Sequence, residues 1–125
     1  MKRLPDFMVI GAMKAGTTGL AFYLGQHPDV FISSTMEANF FADPGNWHRG
    51  VGWYQRLFDS EKLHVGDGSV RNTMVPEYTG APERIGRLLP DVRLVYLVRD
   101  PIERLRSMFI HRATNIRNQP PHLLR

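Results

Sequence analysis

The stretch Phe7-Met-Val-Ile-Gly-Ala-Met-Lys-Ala-Gly-Thr-Thr18 decides the fold of this chain. The apolar run at residues 7–10 is typical of a buried strand, Gly11 ends it in a tight loop, and residues 17–24 have the pattern of a helix. A glycine-rich loop between a strand and a helix can wrap around an anion, because its backbone N–H groups and the helix N-terminus favour negative charge. This stretch therefore predicts a phosphate-binding loop.

The side chains of the loop suit phosphate but not the usual chemistry of nucleotide hydrolysis. Lys14 can reach a phosphate oxygen, Thr17 and Thr18 add hydroxyl donors, and the backbone at Ala15 and Gly16 offers N–H groups. The standard order G-x-x-x-x-G-K-[ST] is absent, because the lysine precedes the second glycine. No aspartate suited to holding a metal ends an apolar strand. A P-loop kinase or nucleotide hydrolase is therefore disfavoured, although it remains a competing interpretation.

Outward from the loop, short apolar runs alternate with helical patterns. We expect further strands at residues 30–32, 63–65 and 93–99, and helices at 51–58, 81–89 and from Pro101 onward, with a break at 118–121. Strands alternating with helices predict an α/β fold with a mostly parallel sheet. The near-continuous apolar strand at 93–99 is expected to be buried on both faces. One apolar stripe on the last helix is expected to pack against the sheet, and it comprises Ile102, Leu105, Phe109, Ala113 and Ile116.

A second anion signal lies where the strand at 93–99 gives way to the last helix. In open parallel sheets ligands bind at the carboxyl ends of strands, so Arg99 should lie on the same edge as the glycine-rich loop. On an ideal helix Ser107 points away from the apolar stripe, and it could join Arg99 on one phosphate. The alternative is that Arg99 only caps the helix or forms a salt bridge.

Composition and charge narrow the classes of function. The chain has 125 residues, a net charge of +4 and no cysteine, which excludes disulfides, thiolate zinc sites and cysteine nucleophiles. The whole net charge lies in residues 99–125, which hold six arginines and two acidic residues, and this favours an anionic partner. That segment lacks the interleaved aromatics of a nucleic-acid site, and the five histidines lack metal-ligand spacing.

The expected location follows from what the sequence lacks. No apolar run reaches the roughly 20 residues needed to span a bilayer. The apolar run after the first residues is too short for a secretory signal. We therefore expect a cytoplasmic protein without a membrane span.

Two widely spaced segments resemble the sulfotransferases that use 3′-phosphoadenosine 5′-phosphosulfate (PAPS). Pro5-Asp-Phe-Met-Val-Ile-Gly-Ala-Met-Lys-Ala-Gly-Thr-Thr-Gly-Leu20 resembles their 5′-phosphosulfate loop. Leu94-Val-Tyr-Leu-Val-Arg-Asp-Pro-Ile-Glu-Arg-Leu-Arg-Ser-Met-Phe109 resembles their 3′-phosphate-binding strand and helix. Between them, Met36-Glu-Ala-Asn-Phe-Phe41 and Arg49-Gly-Val-Gly-Trp-Tyr54 resemble the heparan sulfate, or carbohydrate, branch of the family.

The resemblance implies a three-layer fold like that of P-loop nucleoside-triphosphate hydrolases. It also implies transfer of a sulfuryl group from PAPS, without a metal, to a hydroxyl or amine of an acceptor that we expect to be a carbohydrate. Lys14 would stabilise the leaving phosphate oxygen, and Glu37 would be the base that takes the proton of the acceptor. The nucleotide would be held by Lys14, Ala15, Gly16, Thr17, Thr18, Arg99 and Ser107.

The resemblance further implies that residues 1–125 form a partial sulfotransferase domain, about the first half, with the 5′-phosphosulfate loop at 11–18 and the 3′-phosphate segment at 94–109. Exposed apolar patches are then expected, because half a domain buries proportionally less surface. In Gly66-Asp-Gly-Ser69, Gly68 stands where the family usually has a lysine. The alternative function is a module that binds PAPS or its product without turnover, as a fragment or a truncated paralogue.

Overall fold

The computed structural model describes residues 2–117, in which four parallel strands form one sheet. The sheet order is β2-β3-β1-β4, so β1 lies inside the sheet while β2 and β4 lie at its edges. The strands are β1 Phe7–Gly11, β2 Val30–Ile32, β3 His64–Asp67 and β4 Arg93–Tyr96. The predicted α/β class and parallel sheet are confirmed, and all four strands lie within two residues of their predicted starts.

Five α-helices and one 3₁₀ turn connect and flank the strands. They are α1 Thr17–Gly25, α2 Pro44–His48, α3 Val51–Arg56, the 3₁₀ turn Val70–Thr73, α4 Ala81–Leu88 and α5 Pro101–Arg117. Helix α2 was not predicted, although Asp43 signals its start by accepting hydrogen bonds from the N–H groups of Gly45 (2.8 Å) and Asn46 (3.2 Å). The predicted break at 118–121 lies outside the described residues.

The core is dominated by aromatic side chains from the segment that lies between β2 and β3 in the sequence. Phe40 and Tyr54 stack with ring centroids 4.4 Å apart, and Phe41 and Phe58 pack edge-on against Tyr54. All four are fully buried. Because these residues lie between β2 and β3, the core anchors the segment that carries Glu37 to the sheet.

Two burial predictions, for β4 and for the stripe on α5, are wrong within residues 2–117. In and just after β4, Leu94 and Val98 are 54% and 83% exposed, and on α5 the side chains of Ile102 and Phe109 are 76% and 74% exposed. β4 has a neighbouring strand on one side only, because it lies at the edge of the sheet, and within residues 2–117 α5 makes few contacts with the strands. An apolar pattern in a strand indicates that its side chains are suited to burial. It does not indicate whether another element of the fold covers them. The expectation of exposed apolar patches is confirmed.

Candidate functional site

The glycine-rich loop, residues 11–18, runs from the end of β1 into α1. A Cβ on Gly11 would lie 2.5 Å from Thr73 Oγ1, so only glycine lets the strand end approach the 3₁₀ turn. Lys14 (φ 63°) and Gly16 (φ 96°) both adopt left-handed backbone conformations, which reverse the chain twice within three residues. Gly16 caps α1 without a side-chain hydrogen bond, so the first-turn N–H groups of the helix face the loop without a capping acceptor.

Two arginines that follow β4 hold this loop from outside. Arg99 Nη1 donates to the carbonyl of Lys14 at 3.1 Å, and Arg104 Nη1 donates to the carbonyl of Met13 at 3.3 Å. Each contact uses one of the five guanidinium N–H donors, so most of the donor capacity of Arg99 remains available to a ligand. The prediction that Arg99 lies on the same sheet edge as the loop is confirmed. Arg104 was missed, because only the fold brings it beside Met13.

Helix α5 begins as its sequence suggests. Asp100 Oδ1 accepts hydrogen bonds from the N–H groups of Ile102 (3.1 Å) and Glu103 (3.0 Å), with Pro101 in the first turn. The cap fixes where the helix starts and therefore which residues face the loop. Ser107, two turns along, is half-buried and faces it.

Two adjoining clefts collect the predicted site residues. The Arg99 cleft, about 450 Å³, is lined by Lys14, Arg99, Glu103, Arg106, Ser107, Ile110, His111, Thr114 and Asn115. The Glu37 cleft, about 480 Å³, is lined by Met13, Lys14, Thr17, Thr18, Glu37, Val70, Arg71, Met74, Glu77, Tyr78, His111, Arg112 and Asn115. Lys14 lines both clefts. The fold thus brings six of the eight predicted residues together, while Ala15 and Gly16 contribute backbone to the loop between them.

Sequence reasoning did not assign a role to the wall of the Glu37 cleft opposite the loop. Arg71 lies there with its guanidinium carbon 5.2 Å from the ring centroid of Tyr78, and its Nη1 is 3.9 Å from Asp43 Oδ2. Arg112 Nη2 lies 4.0 Å from Glu77 Oε2. Arg71 and Arg112 therefore line the same cleft as Glu37. The sequence offers one indication of this part of the cleft, which is that Arg71 lies three positions after Gly68.

Behind Glu37 lies a fully buried carboxylate, Asp67, at the end of β3. Tyr54 Oη donates to Asp67 Oδ2 at 2.6 Å, and Ser69 donates to Oδ1 through both its hydroxyl (2.5 Å) and its N–H (3.1 Å). Burial raises the pKa of Asp67, and the hydrogen bonds from Ser69 and Tyr54 oppose that rise. Burial, together with the neighbouring carboxylate, also raises the pKa of Tyr54.

We expect Asp67 to make the stability of the folded chain depend on pH. Because its pKa is raised on folding, the folded chain binds this proton more tightly than the unfolded chain, whose carboxyl titrates near about 3.9. The stabilisation is fully present below that value and is lost as the pH rises through the folded pKa, with a slope of at most about 1.4 kcal/mol per pH unit.

Urea unfolding of wild type and Asp67→Asn, measured from pH 4 to 8, checks this expectation. The asparagine variant is expected to be less stable, because its NH₂ group would face the donors that now point at the Asp67 carboxylate. Its free energy of unfolding should nevertheless fall less steeply with pH. The Asp91→Asn variant, at an exposed position before β4, serves as a control for loss of a surface carboxylate. Identical slopes in wild type and Asp67→Asn would contradict the raised pKa.

A larger cavity lies elsewhere. It measures about 700 Å³, and its lining includes the first residue of each strand, namely Phe7, Val30, His64 and Arg93. Ligands of open parallel sheets bind at the carboxyl ends of the strands, and that is the edge where the Arg99 and Glu37 clefts lie. Within residues 2–117 no cluster of three or more histidine or acidic side chains could hold a metal ion.

Comparison with known proteins agrees with this geometry. The family model for the sulfotransferase domain matches residues 4–123. The chain is 31% identical over 118 residues to the human bifunctional heparan sulfate N-deacetylase/N-sulfotransferase 3, and 34% identical over 109 residues to the membrane-associated sulfotransferase kil1 of Dictyostelium discoideum. A crystal structure of a sulfotransferase from Alicyclobacillus acidocaldarius superposes with a TM-score of 0.77 at 31% identity, over 94% of this chain.

The chain matches only part of each of these proteins. It spans 53% of the bacterial structure, 14% of the human protein and 22% of kil1.

The expected cytoplasmic location is wrong in the light of these relatives, one of which is named as membrane-associated. That expectation rested on a missing membrane-spanning run and a missing apolar leader, and neither absence specifies a compartment. No helix within residues 2–117 combines the length and apolar character needed to cross a bilayer.

Proposed function

Because the chain belongs to the sulfotransferase domain family, we propose that it binds PAPS and takes part in transferring the sulfuryl group to a hydroxyl or amine of a carbohydrate acceptor. The observation that carries this proposal is the pair of adjoining clefts with Lys14 on both. PAPS carries two separated anionic groups, and the clefts offer cationic side chains to each of them.

In this proposal the Arg99 cleft takes the 3′-phosphate. Arg99 presents a planar fork of donors that suits a phosphate, and Ser107 adds a hydroxyl from the facing helix. Arg99 also donates to the carbonyl of Lys14, so a phosphate bound there would be fixed relative to the glycine-rich loop. Binding at this end orients the nucleotide for the chemistry at the other.

The glycine-rich loop and Lys14 take the 5′-phosphosulfate. When bound, PAPS supplies the sulfuryl group and a phosphate leaving group. Lys14 and the first-turn N–H groups of α1 then stabilise the negative charge that develops on the leaving oxygen. Thr18 is exposed beside them and adds a hydroxyl donor, whereas Thr17 is 8% exposed and supports the loop from within.

Glu37 is the proposed general base, because it is exposed on the same cleft as Lys14. A carboxylate there can accept the proton of an acceptor hydroxyl or amine as the new bond to sulfur forms. A carbohydrate acceptor is supported by the relatives named for heparan sulfate and by the polar and aromatic lining of the Glu37 cleft.

Calorimetric titration with the product 3′-phosphoadenosine 5′-phosphate (PAP) tests the nucleotide site. We expect wild type to bind PAP without Mg²⁺, and Arg99→Ala to bind at least about 10-fold more weakly, because a charge-assisted hydrogen bond is lost. Ser107→Ala, which leaves the loop contacts intact, should weaken binding less. Arg87→Ala, on the exposed face of α4, is the matched control. Mg²⁺-dependent binding of ATP in place of PAP would favour the kinase interpretation.

The alternative, a module that binds PAPS or PAP without turnover, is favoured by Gly68, which stands where the family usually has a lysine. The two functions differ in one measurement, which is transfer of radiolabelled sulfate from PAPS to N-deacetylated heparan sulfate. Turnover that Glu37→Gln abolishes supports the enzyme. Tight PAP binding without turnover supports the module.

A further inference from the structure

The loop that carries Glu37 has left-handed backbone conformations on both sides of that residue, and that conformation is unfavourable for Met36 in particular. Met36 (φ 55°) and Asn39 (φ 50°) are left-handed although neither is glycine. Such a conformation costs on the order of 1 kcal/mol for an ordinary residue, and it persists only where surrounding contacts enforce it. Within residues 2–117, neither a hydrogen bond nor an ion pair restrains the Glu37 side chain. Its position is therefore set by the backbone.

The contacts that enforce this backbone come from the end of β3. Ser69 Oγ accepts a hydrogen bond from the N–H of Asn39 at 2.8 Å, and the N–H of Gly68 donates to the carbonyl of Met36 at 3.1 Å. A Cβ at Gly68 would lie 3.0 Å from the same Met36 carbonyl, so the two backbones are in close contact. Both left-handed residues are thus tied to the segment 67–69.

Asp67 fixes Ser69 in turn. The Ser69 hydroxyl donates its proton to Asp67 Oδ1, which leaves its lone pairs for the N–H of Asn39. Asp67 and Ser69 are both fully buried, and Tyr54 anchors the other carboxylate oxygen from the aromatic core. A buried, satisfied chain of hydrogen bonds is stiff, because breaking one link leaves a buried polar group unpaired. The chain runs from the core to the residue two positions after Glu37.

We propose that Asp67 and Ser69 are positioning residues, which hold the Glu37 carboxylate where it can take the proton of the acceptor. This inference rests on the proposed function, in which Glu37 is the base. It assigns a role to the segment that lacks the lysine usual in the family. Here the segment acts through backbone and hydroxyl contacts, and the close approach to Met36 favours glycine at position 68.

The decisive variant is Ser69→Ala, compared with Ser69→Thr and with the exposed Ser34→Ala as matched control. Ser69→Ala is expected to lower kcat for transfer to N-deacetylated heparan sulfate by about 10- to 100-fold, as for a catalytic group misplaced by about 1 Å. The KM for PAPS and the affinity for PAP should stay within about twofold, because Lys14 and Arg99 are untouched. Ser69→Thr keeps the hydroxyl and should restore most of kcat.

A second measurement does not depend on turnover. The Asn39 amide should exchange its hydrogen slowly in wild type and Ser69→Thr, and at least about 10-fold faster in Ser69→Ala. If Ser69→Ala does not fold, Ser69→Cys carries the same test, because a thiol hydrogen-bonds only weakly.

Three outcomes would overturn the inference, and each is separable from failure of the nucleotide site. The first is an unchanged kcat in Ser69→Ala while Glu37→Gln is inactive. The second is an unchanged kcat in Glu37→Gln, and the third is the absence of turnover by folded wild type. PAP titration of the same preparations decides the nucleotide site in every case.

Discussion

Lys14→Ala is expected to lower the affinity for PAP by at least about 10-fold and, in an assay of sulfate transfer, to lower kcat by about 10²- to 10³-fold. The expectation follows from position, because Lys14 lines both clefts and lies next to the first turn of α1. Loss of its ammonium removes the cation that the proposal assigns to the leaving oxygen. Calorimetry and single-turnover transfer from radiolabelled PAPS measure the two effects separately.

The backbone of Lys14 supplies a sharp control. Because its φ is 63°, Lys14→Ala keeps a strained conformation, whereas Lys14→Gly relieves it. We expect the free energy of unfolding of Lys14→Gly to lie within about 1 kcal/mol of the wild-type value, because relief of backbone strain offsets the conformational entropy that glycine loses on folding. We also expect Lys14→Gly to bind PAP as weakly as Lys14→Ala does. Lys2→Ala removes an exposed charge and should change neither quantity. Normal binding by Lys14→Gly would show that the ammonium is dispensable.

Phe40→Ala is expected to lower the free energy of unfolding by about 3–5 kcal/mol, enough to unfold much of the population of a marginal domain. Phe40 is fully buried and stacks on Tyr54, whose hydroxyl anchors Asp67. The cavity left by the ring therefore loosens both the core and the carboxylate behind Glu37.

The matched control is the same substitution at an exposed ring. Phe109 is 74% exposed on α5, so Phe109→Ala should change the free energy of unfolding by less than about 0.5 kcal/mol and should reduce self-association at high concentration. Urea unfolding followed by tryptophan fluorescence measures both variants. Equal losses of stability would mean that α5 is covered in solution.

The sequence predicted the fold and the strand–loop–helix arrangement of residues 7–25 well, because their signals are local. A strand, a glycine turn, a lysine and a helix start follow one another within residues 7–18, and each is recognisable from its neighbours. The Asp100-Pro101 start of α5 is local in the same sense, and the structure confirms it. The sequence also predicted that Arg99 and the glycine-rich loop lie at the same edge of the sheet, because ligands of open parallel sheets bind at the carboxyl ends of the strands.

What could not be predicted depends on contacts between distant segments. Arg104 lies beside Met13 across 91 positions of sequence, and Asn39 lies beside Ser69 across 30. The exposure of β4 was missed because an apolar pattern does not say which strands are edges. The location was missed because it rested on absences.

The loop of Lys14 is closed by partners that the chain reaches very late. Strand β1 pairs with β3 and β4, which lie more than fifty positions further along the chain. The carbonyls of Met13 and Lys14 accept hydrogen bonds from Arg104 and Arg99, which also come late in the sequence. Pairings of such long range make folding slow, because loop-closure entropy must be overcome before any contact forms. During synthesis the proposed nucleotide site therefore assembles only after residue 107 has left the ribosome. A nucleotide that bound this site would bind only the folded state, and it would therefore shift the folding equilibrium toward the folded state.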